Sequence, residues 1–261
     1  MSETSMNSIS NIAEMAVLGK DAPEKLYYKG DLGLLSARKI SIVGSRKMSV
    51  YTKNLVFSLA SALKNAGFVV VSGGALGTDI TAHSGAFPRT IGVFANGLNH
   101  IYPPSNARTI AQIYEHALAL SEYEPGETAK NYNFVRRNRI VVALGEALVI
   151  AQADTKSGSM RSAEFALKMG KPIYVLPQRM GESDGTNGLL ARGQARLISS
   201  VADFLAILGA GQSAPSRDDK IIEWISKNDN FDEAFGKFGD ALYEYELDGK
   251  IEIVGNRIIV L

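Results

Sequence analysis

Four short stretches of this 261-residue chain combine glycine, hydroxyl, arginine and aromatic side chains, each just after an apolar run. In IVGSRKMS, Gly44 allows a tight turn, and Ser45 and Arg46 precede a helical pattern. Unpaired N–H groups at a helix start and a guanidinium both favour an anion. A plain strand-to-helix turn with a surface arginine would carry the same residues. In SGGALGTD, residues 72–79, the three glycines Gly73, Gly74 and Gly77 permit close backbone approach by a phosphate. The spacing is neither G-x-G-x-x-G nor a lysine-bearing P-loop. Asp79 and His83 follow one helical turn apart, the spacing of an acid–base pair. An acidic residue facing a helix dipole and a packed histidine is the simpler account.

The third stretch, NYNFVRRNRIVVAL (Asn131–Leu144), is the densest. Arg136, Arg137 and Arg139 cluster with Asn138 at a helix start, below Tyr132 and Phe134, and Lys130 stands immediately upstream. Arginine grips phosphate bidentately, and an aromatic ring offers a face to a base. Positive charge at a helix start opposes the dipole, so a bound anion accounts for it better than a solvated basic surface. The fourth stretch, ADTKSGSMRSAE, offers Ser157, Gly158 and Ser159 between Lys156 and Arg161. A capping loop explains the serines but not the two basic residues.

The elements that must position these loops alternate. Short β-rich runs at Lys39–Val43, 68–72, Thr90–Phe94, Leu118–Ser121, 147–151 and 172–176 are separated by amphipathic stretches such as 51–65 and 159–169. Nearly continuous apolar strands require a sheet covered on both faces, and strand–helix alternation predicts a doubly wound, Rossmann-like α/β sheet. In such sheets ligands bind at the carboxyl ends of the strands, where all four loops fall. A short apolar helix near 201–208 ends this body. AGQSAPSR, residues 210–217, reads as a linker. Helical segments at 218–227, 231–235 and 237–247 follow, and then a hairpin, KIEIV-GN-RIIVL. Three helices and a hairpin predict a winged-helix-like domain at 218–261, after a Rossmann-like domain at 39–209 and a short leader at 1–38.

Composition narrows the chemistry. There is no cysteine, which excludes disulfides, thiolate zinc sites, iron–sulfur clusters and cysteine nucleophiles. Three histidines argue against a histidine-rich metal site. The start of the chain has no basic segment before an apolar one, and no apolar run approaches the ~20 residues that cross a bilayer, so a cytoplasmic, soluble protein is expected. From position 216 onward six Lys/Arg stand against eleven Asp/Glu, leaving 22 Lys/Arg and 16 Asp/Glu in the rest. A basic body with an acidic tail points to a polyanion partner for the body. The same acidity predicts a tail that repels a phosphate backbone and serves as a protein-contact or regulatory module, either covering the basic body as an acidic competitor or docking a partner through Trp224, Phe231 and Phe235.

From Lys39 to Ile198 the chain resembles the DprA/Smf family of DNA-processing proteins. The resemblance lies in VGSR, VVSGGALGTDITAH, YPPSN, SEYEPG, FVRRNRIV, KSGSM and SDGTNGLL, taken in that order. It implies a non-catalytic protein on an extended Rossmann fold that binds single-stranded DNA in a basic pocket. It also implies a homodimer that loads the RecA recombinase onto incoming DNA during natural transformation, with other DNA-uptake proteins as further partners. No cofactor or metal is implied. The residues carried over are Ser45, Arg46, Ser72, Gly73, Gly74, Phe134, Arg137, Asn138, Arg139, Ser157, Gly158 and Ser159, with Lys130 as an added phosphate contact. A housekeeping DNA-binding role is the milder alternative. The competing class is an enzyme, a LOG-like phosphoribohydrolase, whose P-G-G-x-G-T-x-x-E motif survives here only as Gly158 and Glu164.

Overall fold

The computed structural model describes residues 6–210, 217–247 and 250–260. The chain divides into two compact units after Gly209. The first is a nine-stranded sheet flanked by helices. Its strands are β1 (Ser8–Ile9), β2 (Leu26–Gly30), β3 (Lys39–Val43), β4 (Val69–Ser72), β5 (Thr90–Phe94), β6 (Leu118–Ser121), β7 (Ala147–Ile150), β8 (Ile173–Val175) and β9 (Arg196–Leu197), in the spatial order β1-β2-β6-β5-β4-β3-β7-β8-β9. Strands β3 to β9 run parallel; β1 and β2 close one side antiparallel, with Tyr27 opposite Ser121. Every residue of β3 to β8 is buried, as nearly continuous apolar strands covered on both faces require.

The helices of this unit are α1 (Val50–Asn65), α2 (Thr78–Ala86), α3 (Ala107–His116), α4 (Asn131–Leu144), α5 (Gly158–Lys168), α6 (Asp184–Ala191) and α7 (Val201–Ile207). Helix α1 shows how the sequence sets one. The Ser49 hydroxyl accepts the Thr52 N–H at 3.1 Å, a cap of the kind that contributes about 1 kcal/mol. Val56, Leu59, Ala60 and Leu63 then recur at helical spacing and are fully buried. Crossovers through α1, α2 and α3 carry the chain from β3 outward to β6, and α4 returns it to β7 beside β3. The strand order reverses at this β3–β7 pair, the position where doubly wound sheets bind their ligands.

The beginning of the chain corrects one expectation. The stretch read as a short leader supplies β1, β2 and two 3-10 turns, Ala13–Asp21 and Leu32–Ser36. Leu26 and Met15 join the core beneath α4, and Asp21 lends its carbonyl to Arg139.

The second unit contains α8 (Arg217–Lys227), α9 (Phe231–Phe238) and α10 (Ala241–Leu247), then the hairpin β10 (Ile251–Val254) and β11 (Arg257–Val260). Val254 faces Arg257 across the two-residue turn expected at Gly255–Asn256. Its core is Ile221, Ile225, Ala234, Leu242, Tyr245, Ile251 and Ile258. The break between its second and third helices comes at Gly239, with φ +58, instead of after Phe235. That φ stops α9 where no L side chain sits comfortably. Most of the expected linker, residues 211–216, lies outside the described residues. No helix is long and apolar enough to cross a membrane among the described residues.

Candidate nucleic-acid interface

At the carboxyl ends of β3 and β7 the sheet opens into a cleft of about 400 Å³. The loop after β3 brings Ser45 and Arg46, α4 brings Phe134, Arg137 and Asn138, and the start of α5 brings Ser157, Gly158 and Ser159. The β3 loop is braced from both sides. The Ser45 N–H donates to the Gln152 carbonyl at 2.8 Å, and the Ser45 carbonyl accepts the Thr78 N–H at 3.1 Å. The Ser45 hydroxyl accepts the Lys47 N–H at 3.0 Å, so its own hydrogen remains for another acceptor. Asn138 Nδ2 reaches the Gly158 carbonyl at 3.4 Å and ties α4 to the start of α5.

Arg137 dominates the floor. It is 4% exposed, its Nε has no hydrogen-bond partner, and its guanidinium forms no ion pair among the described residues. Burial lowers its pKa, and attraction to Asp79 works the other way. Asp79 also lines the cleft; burial raises its pKa, opposed first by Arg137 and then by the Ala75 N–H. Burial thus disfavours the charged form of that carboxyl, and the Arg137 guanidinium favours it. At the cleft wall Ser157 is the N-cap of α5, yet its side chain caps nothing, and its buried Oγ has no partner. The first N–H groups of α5 are left for a ligand, with the helix dipole behind them.

An aromatic rim completes the cleft. The Arg46 guanidinium lies 5.5 Å from the Phe134 ring centroid, within cation–π range. Tyr102 stands 5.9 Å from Phe134 with the ring planes at 40°. Tyr102, exposed on the loop after β5, is absent from the residues singled out in the sequence; its only signal there was the motif YPPSN. Asn131, Val135 and Asp154 also line the cleft without having been singled out, and Asp79, read in the sequence as a possible partner of His83, lines it as well.

Five expected site residues are placed elsewhere. Arg139 is 6% exposed on another face of α4, with Nη1 and Nη2 on the Glu122 carboxylate at 2.7 and 2.8 Å and Nε on the Asp21 carbonyl at 2.9 Å. Its donors are engaged within the fold, so it holds no ligand in the cleft. Arg136, also near Glu122 at 3.4 Å, stays exposed. Lys130 is the exposed N-cap of α4, outside the cleft lining. Ser72 is fully buried and donates to the Ile42 carbonyl at 2.6 Å. Gly73 and Gly74 are buried behind the cleft, where their carbonyls accept from His83 Nε2 at 2.6 Å and Asn106 Nδ2 at 3.0 Å. Gly73 makes room not for a phosphate but for Arg137, whose guanidinium occupies the space a Cβ would need.

His83 belongs to this support. A carbonyl only accepts, so Nε2 carries the proton toward Gly73, while Nδ1 faces the Thr90 hydroxyl at 2.7 Å. Burial lowers its pKa to about 4, so the ring is neutral and packed, without an acid–base role toward Asp79.

The family described as "DNA recombination-mediator protein A" matches residues 8–209. The chain is 39% identical over 191 residues to the DNA processing protein DprA of Streptococcus pneumoniae, covering 71% of this chain and 67% of that protein. It is also 39% identical over 190 residues to the Bacillus subtilis DprA, covering 70% of this chain and 64% of that one. Against the Smf protein of a Synechocystis strain the matched share of the relative falls to 49%, so the chain matches between half and two thirds of these relatives' lengths. Among solved structures, DNA processing protein A from Helicobacter pylori, described for its single-stranded DNA binding mode, superposes with a TM-score of 0.76 at 44% identity. That match covers 79% of this chain and 96% of the other. By sequence and by fold, this chain belongs to the DNA recombination-mediator protein A family, the DprA/Smf proteins.

Proposed function

We propose that the cleft binds single-stranded DNA and that the protein works on incoming DNA by binding rather than by catalysis. The observation that carries this reading is the unpaired Arg137, 4% exposed, facing the partnerless Ser157 hydroxyl and the open start of α5 across one cleft. A buried guanidinium with no ion pair among the described residues, only the attraction of the buried Asp79 carboxyl, is costly to hold, and a phosphate would give it a direct partner. Phe134 and Tyr102 at the rim offer stacking faces, which suit unpaired bases and tolerate any sequence. Family membership supports the same reading, because the Helicobacter pylori relative is described as binding single-stranded DNA.

Within this proposal the protein dimerises and passes bound DNA to the RecA recombinase during natural transformation, and the second unit is a winged-helix-like module that contacts protein. The phosphoribohydrolase alternative finds no support in the one carboxylate kept from that motif. Glu164 lies on the exposed side of α5, paired with Arg161 at 2.9 Å.

The test is fluorescence anisotropy with single- and double-stranded oligonucleotides of one sequence across a salt titration. Single strands should bind preferentially, and log K should fall with log salt by about 0.7 for each phosphate neutralised. Preference for duplex, or affinity indifferent to salt, would overturn the reading. Release of free base from nucleoside monophosphates would favour the hydrolase instead.

A further inference from the structure

The cleft continues past the start of α5. Val135, Ser157 and Gly158 line it on one side and also line a second groove of about 470 Å³ whose other walls include Lys156, Met160, Arg161 and Glu164. We infer that this groove receives the next nucleotide of a strand held in the cleft. Lys156 and Arg161 take its phosphate, and Val135 and Met160 take its apolar face. The inference rests on the single-stranded DNA reading of the cleft and adds to it a direction for the strand, over Gly158 and along α5.

Gly158 is the first argument. Its φ lies outside the left-handed region, and a Cβ built there meets nothing within 4 Å. Neither backbone conformation nor internal packing therefore calls for glycine, which is a poorer helix residue than alanine. Gly158 lines both hollows, so what its missing side chain leaves open is the passage between them. Ser157 is the second. The residue lines both hollows, and its hydroxyl, buried at their junction, has no hydrogen-bond partner among the described residues. The charges form the third. Lys156 is exposed and makes no ion pair among the described residues. Among the described residues Arg161 pairs only with Glu164, one helical turn on, with side chains 61% and 52% exposed. Such solvent pairs contribute little, so the guanidinium is free to turn to a phosphate. Val135, 39% exposed, adds apolar surface to the same groove.

The experiment compares the wild-type chain with a Lys156→Ala/Arg161→Ala double variant on thymidylates of increasing length, starting from the shortest that the wild type binds. Circular dichroism verifies the fold; both side chains are exposed, so it should be kept. The variant should bind the shortest ligand as the wild type does. On longer ligands it should lose the gain in affinity from added nucleotides, and its salt slope should be shallower by about 0.7, the share of one phosphate. Wild-type length dependence and salt slope in the variant would overturn the groove. Equal loss at every length would also overturn it, since the two cations would then serve the cleft as a whole. Failure of the wild-type chain to bind any of these strands would overturn the cleft reading, and the groove with it.

Discussion

The Arg137 guanidinium lies against Gly73 in the space that a side chain at position 73 would fill. One residue sits on α4 and the other at the end of β4, so the glycine-rich loop and the arginine cluster, separate features of the sequence, form one device. The first prediction follows from it. Gly73→Ala should fold, push Arg137 out of its seat and weaken single-strand binding as much as Arg137→Ala does, about 1–3 kcal/mol for a charge-assisted contact. The Gly73→Ala/Arg137→Ala pair should be no worse than either alone, as coupled residues behave. Additive losses in that double-mutant cycle would show that Gly73 acts independently of Arg137.

Phe134 is half-buried at the rim between Arg46 and Tyr102. Its replacement by alanine should weaken oligonucleotide binding by roughly 1–3 kcal/mol, the range for a base-stacking platform. Melting temperature and anisotropy measured together separate this role from simple packing. An early-melting variant that binds normally while folded would make Phe134 a loop anchor.

Arg139 should behave in the opposite way to Arg137. Removing it leaves the Glu122 carboxylate, 7% exposed, without its bidentate partner, and breaking buried pairs of this kind costs about 3–5 kcal/mol. Arg139→Ala should therefore unfold in less urea than the wild type, while its folded fraction keeps full affinity for single strands. A stable variant with lost binding would return Arg139 to the interface.

His83 sets a pH dependence. Burial holds its folded pKa at about 4, below the 6.5 of an exposed histidine. Between those values the unfolded chain binds the proton and the native protein does not, so stability rises with pH across the window. This contribution, on the order of 3 kcal/mol, is complete above pH 6.5 and is lost as pH falls toward 4. Asp79, whose pKa burial raises, acts in the opposite sense. The clean readout is therefore the imidazole NMR signal, which should show no titration in the folded protein between pH 7 and about pH 5. A midpoint near 6.5 would contradict the buried, neutral ring.

What the amino-acid sequence determined by itself was the sheet and the place of the site on it. Short β-rich runs such as KISIV and TIGVF, alternating with amphipathic helical stretches, favour a doubly covered parallel strand, and the loops after such strands gather along one edge. The opening of the chain was not legible in this way. A β2 reading LYYKG becomes a strand only by pairing with β6, some ninety residues later, and the two-residue β1 only by pairing with β2. Tertiary structure also sorted the arginines. Arg137 and Arg139 look alike as RRNR, but two residues turn an α-helix by about 200°, which sends one side chain to the cleft and the other to Glu122. Which of them stays unpaired depends on where a distant carboxylate sits. For the same reason Ser72 and Gly73 proved to be supports: whether a hydroxyl or a glycine faces a ligand or a neighbour is set by what packs behind it, and local spacing does not encode that.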